Sequence, residues 1–293
     1  MGRADVAGVI PTEASNQIVA DAPKSSIVLT YGRRVAMGSK DSSVPILSAF
    51  PVAYWVNPAD TGLKQTSEFA IGLKSLTAEE LAVIVVIPIT VEEDSSVDLW
   101  AVARPLLAEA VGKTLDDAVL NGTNAPASFT DANIIAKADA AGNEVVYDPA
   151  KPAESASALL GALEADEYRA NAIVSQLSMA NAARVSLMSD ISAGMTENNW
   201  WGVPVEYRSF TPTNTLAVAG DWSRAVVGIR QDIRFEMFSE GVIQDGAGAI
   251  QFNLLQQDLR AIRATFRVAF GVAAPATPAT RYPFAILNST ATP

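Results

Sequence analysis

The side chains that could do chemistry in this sequence are mostly carboxylates and cations, because its 293 residues include no cysteine and no histidine. Their absence excludes disulfides, thiolate nucleophiles, Ser-His-Asp triads, imidazole acid–base catalysis and zinc sites that use Cys or His. Acidic pairs occur at Glu79-Glu80, Glu92-Glu93 and Asp116-Asp117. Two carboxylates can hydrolyse a glycosidic bond. Nothing in the sequence selects one pair, so a carboxylate-dependent hydrolase stays open only as an alternative.

Three other motifs have a structural interpretation. The segment DGAGAI, residues 245–250, has two glycines at phosphate-loop spacing but lacks the third glycine and the Lys-Ser/Thr, so it predicts a loop. The adjacent Trp200 and Trp201 favour core packing or a subunit contact over stacking on sugars or bases. Arg263 and Arg267 alternate with apolar residues and are expected to meet carboxylates of the same or a neighbouring chain. We therefore predict no catalytic residues, no cofactor and no metal site.

The charge balance disfavours nucleic acid as a specific ligand. The formal net charge is −11, and an acidic chain repels phosphate backbones. The longest apolar run, residues 81–91, is too short to cross a bilayer, and no secretory signal is present. We expect a soluble protein made in a cytoplasm, without membrane contact.

The elements that would carry the chemistry begin with an irregular N-terminal arm and a long hairpin around the turn NPADTG. Period-2 alternation places apolar side chains on one face of each strand: Ile46, Phe50, Val52, Tyr54 and Val56, then Phe69, Ile71 and Leu73. Lys64 and Lys74 take the other face of the return strand. Each strand would be roughly 35 Å long, about twice the usual length, and a lone ribbon is marginal in water. We therefore predict that other copies of the chain complete the hairpin.

The rest of the chain alternates helices and strands. Residues 81–91 predict a strand buried on both faces, and Ser95 with Asp98 predicts a capping box that opens a helix over 96–121, bent at Pro105. Residues 123–222 predict a separate α/β lobe. Further segments predict regular elements: helices near 154–167 and 178–190, and strands over 224–238 and 261–272.

The order of these segments resembles that of the major capsid proteins of tailed bacteriophages, with the Hong Kong 97 capsid fold. Four segments carry the resemblance: PVAYWVNPADTGLKQTSEFAIGLKSLTAEELAVIVVIP, ARPLLAEAVGKTLDDAVLNGTNAP, GDWSRAVVGIRQDIRFEMFSE and FNLLQQDLRAIRATFRVAFGVAAP. The resemblance implies an α+β fold with four parts: an N-terminal arm (1–45), an extended loop (46–78), a peripheral domain (79–122 and 223–293, with a spine helix at 96–121 and a long strand at 261–272), and an axial domain (123–222).

The function that the resemblance implies is structural. Hexamers and pentamers would form an icosahedral shell around packaged double-stranded DNA, without sequence-specific binding, and the extended loop would lie over the adjacent subunit. A scaffolding protein and a portal would be partners, with a decoration protein left open. Some members begin with a scaffolding segment that is cleaved off; this chain begins at the arm, so either a separate scaffold or the mature form is expected. The protein would be assembled in the host cytoplasm and reside in the virion.

The residues expected to contact other subunits lie mostly on the loop. They are Tyr54, Trp55, Lys64, Phe69, Ile71, Leu73, Lys74, Arg263 and Arg267. Some members weld subunits through a loop lysine and a neighbour's asparagine, but no partner for Lys64 or Lys74 is matched by motif, so non-covalent contacts are expected. The nearest alternative is an encapsulin-type nanocompartment, which shares the fold and holds enzyme cargo.

Overall fold

The computed structural model describes residues 26–49, 53, 55, 66–67, 70–95, 98–189, 194–208, 214–274 and 281–289. Its helices are α1 (Ile27–Tyr31), α2 (Ile89–Asp94), α3 (Leu99–Asn121), α4 (Ile134–Ala140), α5 (Pro152–Ala165), α6 (Ser178–Ser189) and a 3-10 turn at Trp222–Arg224. Its strands are β1 (Arg33–Ala36), β2 (Asp41–Ala49), β3 (Ala70–Thr77), β4 (Glu79–Pro88), β5 (Glu144–Val146), β6 (Ala172–Ser175), β7 (Asn199–Trp200), β8 (Val203–Tyr207), β9 (Thr215–Gly220), β10 (Ala225–Phe238), β11 (Val242–Gln244), β12 (Ile250–Asn253), β13 (Leu259–Val272) and β14 (Phe284–Asn288). No helix in these ranges is long and apolar enough to span a membrane.

The strands of the described residues form four sheets. The largest has six strands in the order β5-β14-β9-β6-β8-β7, and a four-stranded sheet has the order β1-β10-β13-β4. Two hairpins, β2-β3 and β11-β12, make the remaining sheets. Helices and both parallel and antiparallel pairs thus occur in one chain, which agrees with the α+β class predicted from the sequence.

The hairpin predicted at residues 46–78 has its base in the described part of the chain. Strands β2 and β3 pair antiparallel from Asp41↔Thr77 to Ala49↔Ala70, with a bulge between Leu47 and Ala49. The first strand therefore begins at residue 41, inside the segment predicted to be the N-terminal arm. The predicted turn NPADTG, with most of residues 50–69, lies outside the described residues.

Two predictions for the segment that leads into the long helix were wrong. The N-terminus of α3 is capped by Asp98, whose Oδ1 accepts the backbone N–H groups of Trp100 and Ala101, each at 3.0 Å; Ser95 instead ends α2. The strand predicted to be buried on both faces, β4, is an edge strand with alternating partly buried and exposed residues. Its many aliphatic residues are typical of a strand covered on both faces, but the alternation of partly buried and exposed residues shows that one face of β4 is more exposed than the other.

The C-terminal strand corrects a predicted domain boundary. Residues 223–293 were assigned as a whole to the peripheral domain. In the structure β14 lies inside the six-stranded sheet, antiparallel to β9 and parallel to β5. All five of its residues are buried, so it is a central strand of the lobe that the sequence placed at 123–222.

The chain divides into two compact units. One contains residues 82–110 and 233–265, and its cores join Trp100 and Leu107 of α3 to Ile262 and Ala264 of β13. The other contains residues 26–81, 111–232 and 266–289 of the described chain. It has a small core around Leu76 and a larger one in the six-stranded sheet, which contains Leu159, Leu163, Ile173, Met179, Met195, Trp200 and Leu287.

Candidate inter-subunit contact surface

One face of the β2-β3 hairpin is apolar and exposed to solvent. Ile71 and Leu73 alternate along β3 and are 59% and 72% exposed. The register places Leu73 opposite Pro45 of β2, which is also exposed. Large aliphatic side chains paired across two strands form a continuous apolar strip, and nothing in the described chain covers it. We call Pro45, Ile71 and Leu73 the hairpin strip. Trp55, another predicted contact residue, is fully exposed.

The opposite face of the same hairpin is anchored in the body of the chain. Val44 and Leu76 are buried and pack in one cluster with Met37, Val226 and Ala269. Side chains on a strand alternate between its two faces, so burying this face fixes the register of the hairpin and turns Ile71 and Leu73 outward.

An ion pair holds the base of the hairpin. The Nζ of Lys74 lies 2.5 Å from Oδ2 of Asp131, and the same oxygen accepts the backbone N–H of Val272 at 2.8 Å. Lys137 lies 3.3 Å from the other carboxylate oxygen. Burial by itself would raise the pKa of Asp131, but the hydrogen bonds and charges of Lys74, Val272 and Lys137 outweigh it and hold that pKa below its ordinary value. Lys74, which the sequence analysis predicted to contact another subunit, pairs with Asp131 of its own chain in the structure.

A glycine on β13 permits this close approach. A Cβ atom added at Gly271 would lie 2.9 Å from Cδ2 of Leu76 and 3.5 Å from both Cε of Lys74 and Oδ2 of Asp131. Contacts under 3.0 Å require the surroundings to shift. The absent side chain thus lets β13 support the hairpin base.

The segment that follows residue 25 is tied to the long helix by a buried carboxylate. Asp116 of α3 accepts the Ser26 hydroxyl at 2.6 Å and the backbone N–H groups of Ile27 and Val28 at 2.9 and 3.1 Å. Burial raises the pKa of Asp116 although these bonds work against the shift. Ser26 fits because Gly112, one turn earlier on α3, has no side chain: a Cβ there would lie 3.2 Å from that of Ser26.

The two arginines predicted to meet carboxylates differ in their surroundings. Arg263 lies 2.5 Å from the carboxylate of Glu236 in the same chain, and its guanidinium lies 4.9 Å from the ring centroid of Phe238. Arg267 is partly buried, and its Nε has no hydrogen-bond partner among the described residues. A partner from a neighbouring chain remains a prediction for Arg267.

The structure thus brings the predicted contact residues together in small groups. Ile71 and Leu73 share the hairpin strip, Lys74 pairs with Asp131, and Arg263 pairs with Glu236. Three of the predicted contact residues lie outside the described residues: Tyr54, Lys64 and Phe69. Sequence reasoning missed Asp131, whose loop has no periodicity. It also missed the role of Asp116, although a glycine inside a helix one turn before a carboxylate is a signal for a close approach.

A second exposed apolar surface lies on the β11-β12 hairpin, which the sequence analysis did not identify. Its large exposed side chains are Val242, Ile250, Phe252 and, just beyond β12, Leu255. The segment that weakly resembled a phosphate loop closes this hairpin, and Oδ1 of Asp245 accepts the N–H groups of Ala247 and Ala249 at 2.9 and 2.8 Å. Residues 245–249 form the loop that was predicted for residues 245–250, and Ile250 begins β12.

In two of the three carboxylate pairs weighed for hydrolysis, one member makes a structural contact. Asp116 binds the segment at Ser26, and both oxygens of Glu92 lie within 2.9 Å of the same nitrogen, Nη1 of Arg260. Trp200 is buried in the core of the lobe, as predicted for one of the paired tryptophans, whereas Trp201 is partly exposed. Among the described residues no group of three or more acidic side chains is arranged to hold a metal ion.

Comparison with known proteins identifies this combination of an anchored hairpin, a long helix and an α/β lobe. The phage capsid family matches residues 7–277. The chain belongs to the phage capsid family. A solved structure from Microbacterium phage Oxtober96 is similar, with a TM-score of 0.82, 30% identity and 98% of each chain covered. The corresponding structure from Mycobacterium phage Adephagia has a TM-score of 0.82 and 27% identity over 100% of this chain and 99% of that one.

A curated relative points the same way. The chain is 26% identical to the major capsid protein of Staphylococcus phage 80alpha over 279 residues, which cover 91% of this chain and 82% of the relative. The predicted Hong Kong 97-like fold is therefore confirmed, and the chain is a structural protein of an icosahedral bacteriophage capsid. Capsid proteins of this family assemble into shells of many copies. The encapsulin alternative is not favoured.

Proposed function

We propose that this capsid protein forms hexamers and pentamers of an icosahedral shell that encloses double-stranded DNA. The observation that carries the proposal is the hairpin β2-β3, whose inner face is fixed to the chain's own core while its outer face leaves Ile71 and Leu73 exposed. An anchored element with an uncovered apolar face is suited to burial against an adjacent subunit.

A contact between the hairpin strip and an adjacent subunit is weak by itself, but its free energy adds up when the contact is repeated around a shell. Burying one Ile or Leu side chain contributes about 1.5–3 kcal/mol, and association costs several kcal/mol in lost freedom and side-chain ordering. The strip alone is therefore weak for an isolated pair of subunits. In a closed shell every subunit makes the contact twice, once with its own hairpin and once as the acceptor, so weak contacts add to a stable assembly.

Other roles in the proposal rest on the family. A scaffolding protein and a portal would guide assembly, and the DNA would be enclosed without sequence-specific binding, in keeping with the net charge of −11. Whether a decoration protein also binds the shell is left open. The shell would be assembled in the host cytoplasm and carried in the virion. Catalysis has no part in this function, and the contacts of Asp116 and Glu92 support a structural use of the acidic pairs.

The test is to express the full chain in bacteria and image the purified material by electron microscopy. We expect closed particles tens of nanometres across with five-fold and six-fold clusters, either from the chain alone or after co-expression with a phage scaffolding protein. A particle under ten nanometres in both preparations would contradict the proposal. Nuclease-resistant DNA inside particles isolated from infected cells would separate a genome shell from an enzyme-filled compartment.

A further inference from the structure

A pocket of about 310 Å³ lies beside the base of the hairpin, within the second compact unit. Its walls combine two arginines with an apolar strand edge: Arg33, Arg224, Val44, Pro45 and Ile46. At the small end of the range for ligand sites, it has room for a few side chains and not for a whole helix or strand. Mixed cationic and apolar walls suit a short acidic segment that also carries an aliphatic side chain.

The two arginines of the pocket differ in their partners: among the described residues Arg224 has a carboxylate nearby, and Arg33 has none. Nε of Arg224 lies 3.5 Å from Oδ2 of Asp221, and its guanidinium lies 5.8 Å from the ring centroid of Tyr168. Arg33 is exposed and has no ion-pair or hydrogen-bond partner within the described ranges. Its backbone is fixed by the pairing of β1 with β10, so the pocket is preformed and needs little ordering on binding.

The chain offers a complementary segment at the end of α2. Glu92, Glu93 and Asp94 follow one another there, and α2 has no basic residue in its last turn. Carboxylates at a helix C-terminus are unfavourable beside the helix's own carbonyl groups unless a cation is near. Within the described ranges, Glu92 alone of the three has such a cation, Arg260. Glu93 and Asp94 are exposed and have no partner in the described part of the chain.

We propose that the pocket at Arg33 binds the acidic end of α2 from a second copy of this chain, with Glu93 and Asp94 facing the arginines and the exposed Val91 against the apolar wall. The inference rests on the proposed shell function and adds a contact of opposite charge to the hairpin strip. Because the carboxylates of one copy meet the cations of another, the contact selects the register of neighbouring subunits and weakens as salt rises.

Charge reversal tests the proposal in the full-length protein. Arg33→Glu should lower the yield of closed particles about tenfold, while thermal unfolding of the unassembled subunit stays unchanged. Arg34→Glu is the matched control: Arg34 is the next residue on β1, is exposed, donates to the carbonyl of Leu29 and does not line the pocket. The double variants Arg33→Glu/Glu93→Lys and Arg33→Glu/Asp94→Lys each exchange one pair of charges and leave the other carboxylate to face Arg224, so at least one of them should restore particles.

The outcomes separate this inference from the proposed function. Absence of particles from the unaltered chain, alone and with its scaffolding protein, contradicts the shell function itself. Normal assembly of Arg33→Glu, or equal losses for Arg33→Glu and Arg34→Glu, overturns the pocket contact and leaves the shell function standing. Failure of both double variants to restore assembly overturns the assignment of α2 as the bound segment.

Discussion

Lys74 and Asp131 join the hairpin to the body of the capsid protein through one contact of 2.5 Å between Nζ and Oδ2. The same carboxylate oxygen also receives the backbone N–H of Val272, so one side chain fixes strands β3 and β13 at the point where the hairpin departs. The position of the exposed Ile71 and Leu73 relative to the core therefore depends on Asp131, which lies in a loop outside both strands.

Replacing Asp131 with alanine should destabilise the subunit by about 2–3 kcal/mol, because a partly buried ammonium group and a backbone N–H lose their acceptor together. Urea unfolding of the unassembled subunit measures this change. The control is Glu154→Ala, which removes an exposed ion pair with Lys151 and should cost well under about 1 kcal/mol. Equal effects of the two substitutions would show that Asp131 has no special role.

The contribution of Asp131 to the free energy of unfolding should disappear in acid. Its pKa lies below the value of about 3.9 for an aspartate in an unfolded chain. A carboxyl group with a lowered folded pKa stabilises the protein above the unfolded pKa, and that stabilisation is lost as the pH falls through the folded pKa. The difference in unfolding free energy between the wild-type chain and Asp131→Asn should therefore be constant above about pH 5 and narrow below about pH 4. A difference that widens on acidification would refute the assignment.

Replacing Asp116 with alanine should cost about 2–4 kcal/mol, since the Ser26 hydroxyl and two backbone N–H groups are left without an acceptor. The adjacent Asp117→Ala is the control and should change the unfolding free energy by less than about 0.5 kcal/mol. Burial raises the folded pKa of Asp116, so protonation favours the folded state and acid does not release this contact by itself. Amide hydrogen exchange at Ile27 and Val28 reports the contact directly, and unchanged protection in Asp116→Ala would argue against it.

The double variant Ile71→Lys/Leu73→Lys should prevent particle formation, because a buried unpaired ammonium group strongly disfavours an interface. The subunit should stay folded, because both side chains are exposed in the single chain. Ser75→Lys is the control, since Ser75 is exposed on the same face of the same strand, nearer its end. Sedimentation velocity separates shells from free subunits. Normal shells from the double variant would remove the hairpin strip from the proposed interface.

The sequence was sufficient for elements whose pattern is local. Alternation predicted β13 and the return strand of the hairpin, and helical spacing predicted α3, α5 and α6 close to their observed bounds. Errors arose where the tertiary environment decides. The sequence of an aliphatic strand such as β4 does not show whether the strand lies at the edge or at the centre of a sheet. The sequence also does not decide between Asp98 and Ser95 as the helix cap, because both residue types accept hydrogen bonds from backbone N–H groups.

The contacts that hold the hairpin and the segment at Ser26 were not predictable in the same way. Asp131 meets Lys74 and Val272 across 57 and 141 positions of the sequence, and no spacing rule reaches so far. Alternation placed Ile71 and Leu73 on one apolar face of the hairpin, and the lack of a core against which this face could pack predicted its exposure. The exposed β11-β12 hairpin was not identified, because its strands are short. Glycines 112 and 271 were the available signals for close approach, and only the structure shows what approaches them.

The central position of β14 in the six-stranded sheet limits when the lobe of the capsid protein can fold during synthesis. Strand β5 pairs with β14 in the register Glu144↔Ile286, so about half the chain must leave the ribosome between making the first partner and the second. Until residues 284–288 arrive, β5 and β9 lack the strand that separates them, and contacts so distant along the chain slow folding. A growing polypeptide therefore cannot complete the six-stranded sheet of the lobe before residues 284–288 have been synthesised.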